Sequence, residues 1–249
     1  MTETNASIED YKRALIDISE LLERAVQEFV SSASNDVRSD LLRRSALRVM
    51  QTADAIVLLS TGHFSEEIRC LNRSLAETVI NAAYLQRASS SEVEHYTKSD
   101  SQSMAKTALR ANSVVSRLIK LDPEEQVEMR RLSAQPTQDP WDGKSLMQRA
   151  RAVDSEQAFG HHMETLFLIV YEASHYYVHN TFTPIMKSSE WDRGRSTMSL
   201  EARNEDVVGS LLPSIWCVFS LAMYVCEQFN LTATSELADF NERLGKLAS

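Results

Sequence analysis

Two histidines and a carboxylate close an apolar run in this chain. Within Tyr171-Glu172-Ala173-Ser174-His175-Tyr176-Tyr177-Val178-His179, which follows Leu166-Phe167-Leu168-Ile169-Val170, helical periodicity brings Glu172, His175 and His179 within roughly 60° of one another. Imidazoles beside a carboxylate can move protons near neutral pH or hold a metal ion. Such groups are costly to bury without partners, so this run, read as buried helix, predicts a polar site inside a helical protein. Ser174 points away from His179, which excludes a serine–histidine dyad within the helix. A second set lies on the stretch Phe64–Arg87. Arg69, Arg73, Glu77 and Tyr84 form one arc, opposite an apolar arc of Phe64, Ile68, Leu71, Leu75, Val79 and Ala82. Arg69 to Arg73 and Arg73 to Glu77 are i,i+4 steps. From Ala76 to Leu85 the stretch is apolar almost all round, so it is expected to be central. Arg73 and Glu77 then form either a buried pair or a surface ion pair worth a few tenths of a kcal/mol.

Glu-x-x-His, the spacing of di-metal carboxylate bundles, occurs at Glu92…His95 and Glu172…His175. The first falls in a polar, Ser-rich helix start and reads as a solvated face. Glu172 and His175 remain weak metal candidates, and neither a metal nor a cofactor is expected. No glycine-rich phosphate loop, nucleophile elbow or zinc spacing is present. His161-His162 reads as a surface pair. Arg38, Arg43, Arg44 and Arg48 read as a solvated basic face, with an anionic-partner surface as the lesser alternative. Cys70, Cys217 and Cys226 contain no Cys-x-x-Cys pair and fit reduced core residues of a cytoplasmic protein.

The elements that would position these residues are helices. Only 6 Gly and 5 Pro occur in 249 residues, 43 % of the chain is apolar and 24 % is charged, which favours long helices with few turns. Stripes of apolar residues predict helices over Ile8–Val30, Val37–Ser60 (capped by Asp36, stopped at Gly62) and Phe64–Arg87. A further helix over Glu92–Lys120 is capped by Ser91, with Met104 and Leu109 on its inner side. Pro123–Leu132 and Ser145–Val153 form short helices. Asp154 or Ser155 caps a long helix through His179. Ile185–Leu200 reads as a loop, Glu201–Phe229 as a helix kinked at Pro213, and Ser235–Lys246 as a final helix. Trp141 is expected to pin the loop Ser133–Lys144. Leu211–Cys226 is interrupted by Pro213, Ser214 and Ser220 and falls short of a membrane span, so it reads as a core helix. The polar start of the chain predicts no signal peptide. The expected fold is all-α: one domain over residues 1–249, a bundle of about six or seven helices.

Arg69-Cys70-Leu71-Asn72-Arg73-Ser74-Leu75-Ala76-Glu77, continuing to Ala83-Tyr84-Leu85, resembles the "Arg-Ser-x-x-Glu … Tyr-Leu" helix of an uncharacterised prokaryotic family, domain of unknown function 5677. Tyr171–His179 resembles that family's "Tyr-x-x-x-Ser-x-x-x-x-His" segment, and Trp141-Asp142-Gly143-Lys144-Ser145 its Trp-Gly-x-Ser loop. The resemblance spans about residues 40 to 230. It implies that Arg73, Glu77, Ser174 and His179 belong to the family pattern and brings no activity with it.

Three function classes follow. The first is a binding or regulatory bundle in which Arg69, Arg73, Glu77, Tyr84, Ser174, His175 and His179 supply a polar cluster, centred on Arg73, Glu77 and His179. The second is a ribonuclease or phage-defence component similar to the helical HEPN nucleases, with Arg73 on a phosphate and His179 as acid or base. The HEPN arrangement places Arg and His a few residues apart on one helix, and no Arg precedes His175 or His179 at that spacing. The third is the di-metal bundle. A net charge of -9 disfavours nucleic acid and anionic membranes as general partners. A homodimer is compatible with all three readings, and no reaction is assigned.

Overall fold

The computed structural model describes residues 6–32, 36–114, 121–134, 142–155, 162–174, 189–192, 195–198 and 204–247. Helices dominate. They are α1 (Ile8–Ser32), α2 (Val37–Thr61), α3 (Ser65–Arg87), α4 (Ser90–Val114), α5 (Pro123–Ser133), α6 (Leu146–Asp154), α7 (His162–Leu166), α8 (Asn204–Phe229) and α9 (Thr234–Leu247). These are nine α-helical segments among the described residues, more than the six or seven expected. A π-helical turn, Phe167–Glu172, continues α7 directly. Part of the expected loop Ile185–Leu200 is a hairpin, β1 (Ser189–Asp192) antiparallel to β2 (Arg195–Met198), in the register Asp192↔Arg195 to Ser189↔Met198. So short a pairing carries too few residues for alternation to stand out in the sequence.

The described chain clusters into two compact units, Met1–Gln86 with Arg149–Ser249, and Arg87–Gln148. In the larger unit α1 and α8 are the hub: α1 packs on α8, α2 and α9, while α8 also meets α2, α7 and α9. The predicted stripe of α1 is the buried one, with Tyr11, Leu15, Ile18, Leu22, Val26 and Phe29 in the core. Ion pairs Arg24–Glu236 (2.7 Å) and Arg243–Asp17 (3.2 Å) fasten α1 to α9. α8 is long and apolar enough to cross a membrane by composition, but 67 % of its most apolar window is buried inside the fold. It serves as the core helix, and it runs through Pro213 as a single element. Pro213 has no N–H to give the Gly209 carbonyl. That carbonyl stays hydrated because Gly209 is exposed.

Local signals set the ends. Asp36 caps α2 through Ser39 N–H, and Gly62 stops it by donating to Leu59 and Ser60 carbonyls. A Cβ at Gly62 would stand 2.4 Å from the Phe64 ring, so a larger residue there would displace that half-exposed ring. Arg43 and Arg44 of the basic face both pair with Asp40 at the surface. In the smaller unit α4 packs on α5. Its cap is Ser89, not Ser91: the Glu92 backbone donates to Ser89 Oγ (3.2 Å), and Glu92 accepts from Ser89 N–H (2.7 Å). Glu92 also holds Lys144 (2.6 Å), so it serves as a structural cap. Met104 is exposed, and Val93, Gln102 and Ala105 take the inner side of α4. Asp122 and Glu125 form a capping box on α5 behind Pro123.

The N-terminus of α7 is held from a distance. Asp154, 5 % exposed, accepts from the N–H groups of Met163 (3.0 Å) and Glu164 (2.8 Å). Of the two caps expected, Asp154 does the work. Asp154→Ala should therefore cost about 1–2 kcal/mol in urea denaturation, whereas Asp36→Ala, an exposed cap, should stay near the low end of that scale, about 0.5–1 kcal/mol. Equal small losses would remove Asp154 from this role.

Candidate functional site

A cleft of about 490 Å³ opens in the larger unit between α3, α8 and the α7–π segment. On α8 its lining residues are Gly209, Leu212, Pro213, Trp216 and Ser220, a single helical stripe. Across from them stand His162, Thr165, Leu166, Ile169, Val170, Ala173 and Ser174, and α3 adds Arg69 and Asn72. A π turn carries one residue too many for an α ladder, a local cost that recurs at functional sites.

Buried amide and hydroxyl groups fix α3 on α8. Asn72, 1 % exposed, donates from Nδ2 to the Ser210 carbonyl (2.7 Å) and accepts from Ser214 Oγ (2.6 Å). Ser214 Oγ also reaches the Ser210 carbonyl (3.2 Å), and Ser210 Oγ donates to Val207 O (2.7 Å). One turn earlier, Arg69 approaches the Asp206 carboxylate (3.6 Å) and carbonyl (3.5 Å). One residue later, Arg73 anchors the π turn. Its Nη2 donates to Tyr171 Oη (2.9 Å), its guanidinium lies 4.4 Å from that ring's centroid, and Tyr171 stacks on Phe167 at 5.3 Å.

These contacts give the cleft two different ends. Arg69, Asn72 and Arg73 lie beside 206–214 and Tyr171, so the end of the π segment, with Ser174, falls at the Arg69 end. His162 lies within electrostatic range of Glu227, so the start of α7 is at the other end, where Ser220 also lies. Burial pushes the Glu227 carboxyl above its usual range, and His162 opposes this. Ser174 (5 % exposed) and Ser220 (3 % exposed) are largely buried and both line the cleft. The middle is apolar, walled by Leu166, Val170 and Trp216.

Several expected site residues stand elsewhere. Glu77 is exposed, because the buried face of α3 passes through Asn72, Leu75, Ala76 and Val79. Arg73 is half-buried on Tyr171, so the buried Arg73–Glu77 pair does not form. Tyr84 is buried, but fifteen residues along the helix from Arg69, about 22 Å away, and does not share the cleft. Ser174 does line it. Glu172 is exposed. His175 and His179 lie outside the described residues, as do the Trp141 anchor and the long helix's expected beginning and end. Leu168 (52 %) and Ile169 (62 %) are exposed, so the apolar run is buried on one stripe only, through Leu166, Val170 and Ser174. α3 is central over Leu75–Leu85, although Phe64, expected inside, is 46 % exposed. Among the described residues no group of three or more His, Cys, Asp or Glu can hold a metal ion. Cys217 and Cys226 are buried and Cys70 is half-buried, and burial raises all three thiols, Cys226 to about 11.

The chain belongs to DUF5677, a family of unknown function. The family model matches residues 40–194, which takes in α3 and the π turn but stops short of 230 and of α8. No curated protein and no solved structure matches the chain. In this DUF5677 member sequence reasoning missed Asn72, Tyr171, Trp216 and the serines of α8 as site residues. The signal available was Ser210-x-x-x-Ser214, an i,i+4 hydroxyl pair inside an otherwise apolar helix.

Two outcomes follow. In a double-mutant cycle, Arg73→Met and Tyr171→Leu should couple by about 0.5–2 kcal/mol, while Glu77→Ala stays within about 0.5 kcal/mol. Additive effects at Arg73 and Tyr171 would dissolve the anchor. A carboxyl raised by folding stabilises below its unfolded pKa and loses that contribution as pH rises through the folded value. Glu227→Gln should therefore gain stability at neutral pH relative to the parent and match it in acid. A gain that persists in acid would point to packing instead.

Proposed function

We propose that this chain is a small-molecule-binding module whose site is the cleft beside the π turn. The observation that carries this reading is a cleft of about 490 Å³ with an apolar middle and polar groups confined to its ends. Binding sites of a few hundred Å³ share this pattern, apolar walls with a few placed polar groups. The π turn and the placement of Ser174 and Ser220 in the cleft wall support the same reading, since a few placed polar groups orient a ligand in an otherwise apolar site. Of the sequence-derived cluster, Arg69 and Ser174 belong to this site. Arg73 acts on it indirectly by holding Tyr171.

Gly209 supplies a test. Gly209 lines the cleft and a Cβ there meets nothing within 4 Å, so a side chain begins from the wall of the cleft with open space around its first atom. Gly209→Phe should lower the affinity for the dye 1-anilinonaphthalene-8-sulfonate about tenfold, measured by fluorescence. Gly209→Ala should keep dye binding and raise stability by about 0.5–1 kcal/mol, because glycine is a poor residue in a helix interior. Undiminished dye binding by Gly209→Phe would contradict the proposal.

A further inference from the structure

We infer that the ligand is a linear amphiphile with a carboxylate head, lying along the cleft with its head at Arg69. This rests on the cleft being a binding site and adds the class of molecule and its direction. The lining stripe of α8 runs from Gly209 to Ser220, about 16 Å at the helical rise. The shape is long and narrow, and its middle consists of Leu166, Val170, Trp216 and their neighbours, which suits an alkyl chain better than a compact polar metabolite.

The two ends are not equivalent. At one, the Arg69 side chain is 22 % exposed and Asp206 is 40 % exposed, with 3.6 Å between them. This is longer than a charge-assisted hydrogen bond. A guanidinium carries five donors in a fixed fork and can bridge two carboxylates. Asp206 stands in water at the rim, where its repulsion of a second anion is screened. The Ser174 hydroxyl, buried at the same end, can donate to the other carboxylate oxygen. At the far end His162 lines the cleft, but the Glu227 carboxyl lies within its electrostatic range and opposes a second negative group there. An anionic head therefore belongs at Arg69 and the chain terminus toward Ser220.

The test uses the full chain and three ten-carbon probes that differ only in the head: decanoate, decan-1-ol and decyltrimethylammonium. Each displaces 1-anilinonaphthalene-8-sulfonate below its micelle concentration. Decanoate should bind about tenfold more tightly than either of the others, about 1.4 kcal/mol. Arg69→Gln should erase that preference by weakening decanoate about tenfold, with a parent-like far-UV circular dichroism spectrum showing that the fold is intact. Arg69→Lys should retain part of it. Equal affinity for the three heads, preference for the cation, or a preference that survives Arg69→Gln would overturn the inference while the cleft remains a binding site. If no probe displaces the dye yet Gly209→Phe still blocks it, the inference alone falls. If Gly209→Phe leaves dye binding untouched, the binding reading falls with it.

Discussion

The structure depends on three polar side chains buried between two apolar helices. Ser210 and Ser214 occupy the interior face of α8, both with no exposed surface, and nothing in the surrounding core could hydrate them. Asn72 answers both at once, donating to the Ser210 carbonyl and accepting from the Ser214 hydroxyl. A buried amide has few satisfactory registers. Sliding α3 by one turn along α8 would strand both ends of the Asn72 amide in a dry core, since the two serine hydroxyls have carbonyl partners on α8 itself. Apolar contacts alone tolerate such a slip far better, since they are not directional.

The cleft follows from that register. With Asn72 fixed on Ser210, Arg69 stands by Asp206 and Arg73 faces the π turn, because they lie one turn before and one residue after Asn72 on the same helix. Arg73 then stacks on Tyr171 and holds the wider π backbone in place. On the facing wall, Gly209 brings no side chain and leaves room between the α8 residues that line the cleft. Asp154 fixes where α7 begins. The open volume is thus what remains after directional contacts have set each wall.

Much of this was legible in the sequence, for reasons that particular residues make plain. The stripe Tyr11, Leu15, Ile18, Leu22, Val26 and Phe29 identifies the buried face of α1, because periodicity over about five turns leaves little freedom. Asp36 as a cap and Pro123 as a first-turn residue are legible because their chemistry acts locally, whereas Asp154 reaches Met163 and Glu164 across a gap in sequence. Arg69, singled out by its place on α3, and Ser174, by family resemblance, both line the cleft. What escaped depends on tertiary partners. Glu77 looked buried because Ala76 to Leu85 is apolar nearly all round, but periodicity cannot show which side of such a helix meets the core. Asn72 looked like an ordinary polar residue, since only its encounter with Ser210 and Ser214, over a hundred residues later, gives it a role. The π turn carries no compositional mark, and the hairpin Ser189–Met198 is too short for alternation to register.

The central claim is that a directional buried network, rather than apolar packing, sets α3 on α8 and thereby builds the cleft. A double-mutant cycle on Asn72→Ala and Ser214→Ala, read by urea denaturation, tests it most directly. Each single change leaves a buried polar partner unsatisfied and should cost about 1–3 kcal/mol. The double variant should cost well under the sum, with a coupling of at least about 1 kcal/mol. Single losses within about 0.5 kcal/mol that add without coupling would mean that packing alone sets the register, and the account of the cleft would fail with it.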